Sequence, residues 1–432
     1  MAQRAPLTQA EKQTIVEKSK DGMSQLQISA KLGCSWETVR KWLRYERDRR
    51  APRPRGRTKR GPGSSFPEEI REKAVKLKKT HPHWGPKKVL VEMQPLFSLS
   101  KEDLPSPASL SVVFKQQCSE AVQPHQKRSL APADPKVRRA HQRWQMDAKE
   151  GIPVGKGRAN VQEIRDIYSG LIIGSQAFMT LQTDKGWQHL HREEHQQALR
   201  LAFCQWGLPL EVQTDNDSEF ANLNDPTFPT IFTLWLAGLG IIHIRSRPHR
   251  PTDQSQVERN HRTQGDFVWK DMSFDQIEPF QQALDYHRQS YNEKYPSLAA
   301  HCHGKPPLSA FPSARTTGRP YHPDLEWDLF DLKRVDTFLA EHVWTRKVAA
   351  NGTIHIGDQY YILGRKWKTK IVSIRFLPAS RSFRFMTTDG SEIAVLLALG
   401  LEKEHLIGII PAHTPLHLGF QFALPFQVVR YY

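Results

Sequence analysis

The sequence predicts a chain of several modules: N-terminal all-α helix-turn-helix units, a central α/β domain built on a mixed five-stranded sheet, and a small C-terminal β-barrel. Helix-capping patterns dominate the first part of the chain, and strand and helix patterns alternate from Arg143 onward. Short strands joined by Asn-Gly and Asp-Gly turns follow residue 343. A chain of 432 residues is also too long for one ordinary domain.

Composition points to a polyanionic partner. The chain has 62 Lys and Arg against 45 Asp and Glu, a formal charge of +17 and a pI near 9.7, which favours DNA or RNA. An anionic membrane is the competing partner, but no apolar run approaches the length of a spanning helix, and the N-terminus lacks a signal-peptide core. We therefore expect no membrane association and a cytoplasmic, nucleoid-associated protein. The four cysteines are too scattered for a disulfide framework or a zinc knuckle.

The first 50 residues predict three short helices. Thr8 with Glu11 and Ser24 with Gln27 form capping boxes, which would open the first two helices. Ser35 follows a tight turn and is the predicted N-cap of the third helix. This order is typical of a helix-turn-helix unit.

The third helix has one apolar side, formed by Val39, Trp42 and Leu43, so its other side is free to enter the major groove of DNA. A small helical bundle with a solvated charged face is the alternative. The candidate DNA contacts on this helix are Trp36, Thr38, Arg40, Lys41 and Arg44.

A strongly basic segment follows. Between Arg40 and Arg60, eleven Lys and Arg face only two acidic residues, so the segment beyond the helix is not expected to fold alone. Within it, Arg53, Arg55 and Arg57 alternate with Pro and Gly in a pattern that resembles the core of an AT-hook, which lays Arg side chains into the minor groove. A plain solvated tether is the alternative.

Residues 67–128 show apolar spacing that predicts a second helical DNA-binding unit, with a structural spacer as the alternative. From Arg143 we predict a strand ending at Asp147, a hairpin over residues 161–168 and 171–178, and a helix over 186–206. A strand over 210–214, a helix over 228–239, a strand over 241–244 and a helix from about Asp253 follow. Three strands followed by alternating elements fit the RNase-H-like fold.

Three acids stand where this fold would bring them together. Asp147 and Asp215 are each predicted at a strand end, and Glu258 lies one turn into the last helix of the domain. Carboxylates are the ligands that hard divalent cations prefer, and two such ions meet the needs of phosphoryl transfer at a DNA phosphodiester. Asp166 is the rival for the first position, where a structural role is favoured.

Three segments carry a family resemblance: Trp144-Gln145-Met146-Asp147, residues 206–220, and residues 251–263. They resemble the retroviral-integrase superfamily, and within it DDE transposases of the bacterial insertion-sequence or Tn7-like type, over about residues 130–310. The resemblance implies that Asp147, Asp215 and Glu258 are the catalytic residues and hold two Mg²⁺ or Mn²⁺ ions. Asp217 and Gln254-Ser255 depart from the family pattern, and more residues separate Asp215 from Glu258 than is common.

Arg262 lies one helical turn after Glu258, where it could hold a DNA phosphate, and Arg259 is a further candidate.

The predicted domains are a helix-turn-helix domain (1–50), an AT-hook-like linker (51–66), a second helical DNA-binding domain (67–128), an RNase-H-like integrase catalytic core (129–312), a linker (313–342), an SH3-like β-barrel (343–400) and a tail (401–432).

The function expected from these features is a DNA transposase that binds transposon ends and catalyses metal-dependent 3′-end cleavage and strand transfer into target DNA. Its expected partners are transposon-end and target DNA and further copies of itself, with a helper AAA+ ATPase as an additional candidate. The alternatives are a transposase-derived, sequence-specific DNA-binding regulator with little or no catalysis, and a nuclease that cuts without joining.

Overall fold

The computed structural model describes residues 7–47, 66–97, 104–121, 136–180, 182–183, 186–217, 219–220, 227–246 and 255–410. The chain divides into two compact units, residues 1–65 and 66–432.

The first unit is a three-helix bundle of α1 (Gln9–Lys20), α2 (Gln25–Leu32) and α3 (Trp36–Arg47). Both predicted capping boxes are formed, and the Thr38 N–H donates to Ser35 Oγ at 3.2 Å, which confirms the third cap. Ile15, Ile28 and Val39, one from each helix, are fully buried at its centre. The apolar side of α3 therefore faces this core, as predicted.

The second unit begins with α4 (Glu68–Thr80), α5 (Pro86–Phe97) and α6 (Pro107–Gln117). Their buried side chains, such as Met93 and Phe114, belong to the same hydrophobic cluster as Ile152, Phe267 and Phe280 of the following domain. This helical segment therefore shares a core with the sheet domain.

The central part contains β1 (Arg143–Val154), β2 (Gly157–Asp166), β3 (Ile172–Thr180), β4 (Gln182–Thr183), β5 (Gly186–Trp187), α7 (Arg192–Trp206), β6 (Glu211–Thr214), α8 (Ile231–Gly238), β7 (Ile242–Arg245), α9 (Ser255–Gly265) and α10 (Ile277–Glu293). Five strands form one mixed sheet in the order β3-β2-β1-β6-β7. The first three are antiparallel, and β6 and β7 run parallel to β1. The predicted mixed five-stranded sheet is confirmed, and its strand order and directions are those of an RNase-H-like core.

Two local predictions in this domain were wrong. The first strand does not end at Asp147, because β1 continues to pair with β2 as far as Val154. The helix predicted from residue 186 begins only at Arg192, since Gly186 and Trp187 form β5, which pairs with β4. The His191 N–H donates to the Glu194 carboxylate at 2.8 Å and so caps the start of α7.

The C-terminal part contains α11 (Pro307–Ala310), α12 (Glu326–Leu329), α13 (Leu332–Ala340), β8 (Val343–Lys347), β9 (Thr353–Ile356), β10 (Gln359–Ile362), β11 (Ile371–Leu377), β12 (Ser382–Met386), β13 (Glu392–Leu397) and α14 (Lys403–Ile407). The short strands predicted after residue 343 are present as β8 to β13. They form a four-stranded sheet, β13-β12-β11-β8, and a two-stranded sheet, β10-β9. Neither sheet closes within the described residues, so the predicted barrel is not confirmed. No helix in the described part of the chain is long and apolar enough to cross a bilayer.

The C-terminal sheets share a core with the central domain. The ring of Phe228, which precedes α8, lies 5.1 Å from that of Trp344 on β8 and 6.0 Å from that of Phe383 on β12. Residues 313–342, predicted as a linker, contain α12 and α13 and add Val335 and Leu339 to the same core. This segment therefore has buried structure of its own.

A buried ion pair joins α12 to α7. The Glu326 side chain is fully buried, and its carboxylate accepts two hydrogen bonds from Arg200, at 2.7 and 2.8 Å. Trp235 Nε1 donates to the same carboxylate at 2.7 Å, and the Tyr321 hydroxyl is a fourth donor. Arg200 also donates to the carbonyl of Ile407, so the pair connects α7, α8, α12 and the C-terminal segment.

We predict that Glu326→Ala lowers the free energy of unfolding by about 3–5 kcal/mol, because it leaves the Arg200 guanidinium buried without a counter-charge. Denaturant unfolding of the full chain measures the effect. Glu341→Ala removes an exposed carboxylate just after α13 and is the matched control. Equal stability of the two variants would contradict the assignment of a stabilising role to the Glu326 pair.

Candidate active site

The first two acids, Asp147 and Asp215, belong to neighbouring paired strands. On the parallel strands β1 and β6, Gln145 pairs with Gln213. Asp147 lies two residues beyond this pair on β1, and Asp215 directly follows the end of β6 at Thr214. Because side chains two residues apart share a face of a strand, the Asp147 side chain lies on the face of β1 that carries Gln145.

Helix α9 carries the third acid against this sheet. The helix contacts β1 and β2, and Val257 is fully buried at its start. Asn260 donates a hydrogen bond to the buried carboxylate of Glu163 on β2, and Gln264 Nε2 donates to Ser175 Oγ on β3 at 2.9 Å. These contacts fix the helix, so the exposed Glu258 stands at the edge of the sheet that carries Asp147 and Asp215.

Asp147 lies within the electrostatic influence of the other two acids. Burial, followed by the charges of Asp215, Glu258 and Glu150, raises the pKa of Asp147 to about 7. Burial also raises the pKa of Asp215, with added contributions from the charges of Asp217 and Glu150. The three acids that the sequence singled out therefore lie near enough for Asp215 and Glu258 to act electrostatically on Asp147, without forming a group of three that could hold a metal ion.

Sequence reasoning missed a fourth acid, Glu163, which pairs with Asp147 across β1 and β2. It is fully buried, and burial raises its pKa to about 8, while hydrogen bonds from Ser175 and Asn260 oppose the shift. Its position in the middle of the predicted strand over residues 161–168 was the available signal. Glu163 connects β2, β3 and α9 directly beside Asp147.

Two histidines lie beside the strands that carry the acids: His195 is buried and His243 is half-buried. His195 Nδ1 lies 2.6 Å from Gln162 Oε1, and Gln162 Nε2 donates to the Asp147 carbonyl at 3.0 Å. His243 Nε2 lies 3.0 Å from Oγ1 of Thr214, the residue before the second acid. Burial lowers the pKa of His195 to about 4 and that of His243 to about 3. Both imidazoles are therefore neutral at physiological pH.

Two further aspartates have structural contacts. Asp217, at which the sequence departs from the family pattern, donates its N–H to Asp215 Oδ1 at 3.1 Å and accepts the Glu219 N–H at 3.3 Å, so it closes the turn after β6. Asp166, the rival first acid, is fully buried and accepts the N–H groups of His141 and Ser169, both at 2.8 Å. These contacts agree with the structural role favoured for Asp166.

On α9, the basic residue nearest the acids is His261. Its Nε2 lies 3.6 Å from Asp147 Oδ2, and burial, followed by the charge of Lys149, lowers its pKa to about 4. The predicted phosphate contact Arg262 is exposed on the same helix, and Arg259 is half-buried. Within the described ranges, no three His, Cys, Asp or Glu side chains are close enough together to hold a metal ion.

The candidate DNA contacts of the first unit lie along α3. The Trp36 side chain is 44% exposed, and the Arg40 guanidinium carbon lies 5.7 Å from the centre of its ring. Arg40, Lys41 and Arg44 are exposed, whereas Thr38 is half-buried at the Ser35 cap. The candidate minor-groove residues Arg53, Arg55 and Arg57 lie outside the described residues.

Comparison with known proteins gives one family match and several structural likenesses. Residues 6–53 match HTH_23, a homeodomain-like domain. The catalytic core domain of BIV integrase is 18% identical, with a TM-score of 0.28 over 40% of this chain and 95% of that one. The HTLV-2 integrase catalytic core domain, in its dimeric form with magnesium, is 17% identical, with a TM-score of 0.29 over 39% of this chain and 94% of that one. The assignment of an RNase-H-like core depends on the strand order and directions of this chain.

Proposed function

We propose that this protein is a DNA transposase that cuts the 3′ ends of a mobile element and joins them to target DNA. One observation supports the proposal: β1 and β6 pair just before Asp147 and Asp215, and α9, which carries Glu258, contacts β1. The homeodomain-like match over residues 6–53 supports DNA as the partner.

The donor atoms at this edge are of the type that Mg²⁺ and Mn²⁺ prefer, although no three of the described side chains are close enough together to hold an ion. Carboxylate oxygens are the donors that these hard cations prefer, and crowded like charges are what a bound cation would relieve. Asp147, Asp215 and Glu258 would hold the ions, which when bound would lower the pKa of a water nucleophile and stabilise a leaving 3′ oxygen.

The other residues would position the acids and the DNA. The chains from His195 and His243 hold the backbone of β1 and β6 at Asp147 and beside Asp215, which limits their movement during turnover. Arg259 and Arg262 on α9 would hold the DNA phosphates beside the acids.

Because two element ends must be joined, the active assembly would contain at least two copies of the chain. The helper ATPase, the AT-hook contacts of residues 53–57 and the cytoplasmic location stay predictions.

We predict that Asp215→Asn abolishes cleavage and joining, by at least about a hundredfold to a thousandfold, because it removes a charge that acts on the transition state. The assay uses labelled DNA from both flanks of the coding region, a supercoiled target plasmid, and Mg²⁺ or Mn²⁺. Glu278→Gln, an exposed change on α10, is the control. A pre-cut 3′ end separates a transposase, which joins it, from a nuclease, which does not.

A second candidate function is a sequence-specific DNA-binding regulator with an idle site. It is favoured by the lack of a group of three ligating side chains close enough to hold a metal ion in the described residues. Tight binding to flanking DNA with neither cutting nor joining in either metal would support the regulator and refute the transposase.

We predict that, without divalent ions, Asp147→Asn is more stable than the wild type at pH 8, by on the order of a few kcal/mol. The folded protein keeps the Asp147 proton up to about pH 7, whereas the unfolded chain loses it near pH 4. The wild type therefore loses stability as pH rises through this window.

Calorimetric melting at pH 5 and pH 8 measures this difference, which should be smaller at pH 5. Asp324→Asn, at an exposed acid, is the control. Mn²⁺ should raise the melting temperature of the wild type at pH 8 and leave that of Asp147→Asn unchanged. If the stability difference between the wild type and Asp147→Asn were the same at pH 5 and pH 8, the raised pKa of Asp147 would be refuted.

We predict that Arg40→Ala weakens binding to the element ends by about 5- to 150-fold, equal to about 1–3 kcal/mol, because Arg40 lies exposed on the predicted major-groove side of α3. Competition binding with end DNA and unrelated DNA of equal length measures the loss. Lys20→Ala removes the same charge from the end of α1 and should weaken both DNAs slightly and equally. A similar effect of the two variants would refute direct readout by Arg40.

A further inference from the structure

The side chain of His261 has an unsatisfied nitrogen beside the acids. Its Nε2 is buried and has no hydrogen-bond partner, and the residue as a whole is 9% exposed. Buried polar atoms in native proteins nearly always have a partner, so an exception calls for a missing ligand, ion or water.

The geometry indicates what that ligand is. Nε2 of His261 lies 3.6 Å from Asp147 Oδ2, which is too long for a hydrogen bond. Two donor atoms that bind one divalent ion each lie about 2.1 Å from it. They are about 3 Å from each other when the donor–ion–donor angle is about 90°, and about 4 Å from each other when the angle is about 180°. The observed separation falls between these limits.

The sequence supports the same conclusion. Glu258 and His261 form a Glu-x-x-His pair, and residues three apart on a helix share a face. The same spacing places carboxylate and imidazole ligands on one metal in carboxylate-bridged helical proteins. Helix α9 is held in place by Asn260 and Gln264, so both side chains are presented to Asp147 from a fixed support.

We propose that His261 Nε2 is a direct ligand of the cation that Asp147 holds, an inference that rests on the proposed function. An imidazole among carboxylates makes the site more favourable for Mn²⁺ than carboxylates alone would, because nitrogen donors suit transition ions better than Mg²⁺. His261→Gln should therefore weaken Mn²⁺ binding by about tenfold or more and Mg²⁺ binding less.

Pulsed electron paramagnetic resonance of Mn²⁺ bound to the full chain tests this directly. The wild type should show coupling of Mn²⁺ to an imidazole nitrogen, and His261→Gln should lack it. His405→Gln, an exposed change on α14, should keep the coupling. His261→Asp supplies an oxygen donor instead, and should bind Mn²⁺ without nitrogen coupling, so a lost signal is not mistaken for lost binding. Melting curves check that each variant is folded.

The outcomes separate the two proposals. The ligand role is overturned if Mn²⁺ binding depends on Asp147 but the wild type shows no nitrogen coupling. It is also overturned if the coupling survives in His261→Gln. Either result leaves the transposase proposal standing. Failure of the wild type to bind Mn²⁺ at all overturns both the ligand role and the cation site of the proposed function.

Discussion

The parallel pairing of β1 with β6 is the constraint on which the rest of this structure depends. Only three residue pairs define it, from Arg143 with Glu211 to Gln145 with Gln213. A slip of one residue would turn one carboxylate to the opposite face of the sheet. The Arg143 guanidinium reinforces the register through a 2.5 Å bond to the Glu211 carboxylate, and the next pair, Trp144 and Val212, is fully buried.

Several layers of buried polar contacts maintain this register against the repulsion of crowded acids. The neutral imidazole of His195 acts through Gln162 on the β1 backbone, and the Glu163 carboxylate ties α9 to β2. Buried polar groups are tolerated only when their hydrogen bonds are made, so each contact also restricts how its neighbours can move. These contacts hold β1 at Asp147 and connect β2 to α9, which carries Glu258.

The flanking segments extend this support. The cluster that contains α4 to α6 includes Phe267 and Phe280, which follow α9, so the helical segment helps to hold the C-terminal side of that helix. On the other side, Phe228 and Trp344 join α8 to the C-terminal sheet, and the Arg200–Glu326 pair locks α7 to α12. The second unit is therefore one packed body around the acidic edge, although the sequence suggested separate modules.

The sequence by itself determined what depends on local physics and short motifs. Capping residues such as Thr8 and Ser24 fixed the helix starts of the first unit, the apolar and turn patterns predicted the five-stranded sheet, and the three acids stood out through their surrounding motifs. Only the tertiary structure decided contacts between residues far apart in the chain. Glu163 beside Asp147, the support of β1 by His195, and the unpartnered nitrogen of His261 depend on strand register and helix docking. Pairing across a sheet is set by the packing of the whole core, and a single sequence pattern does not encode it.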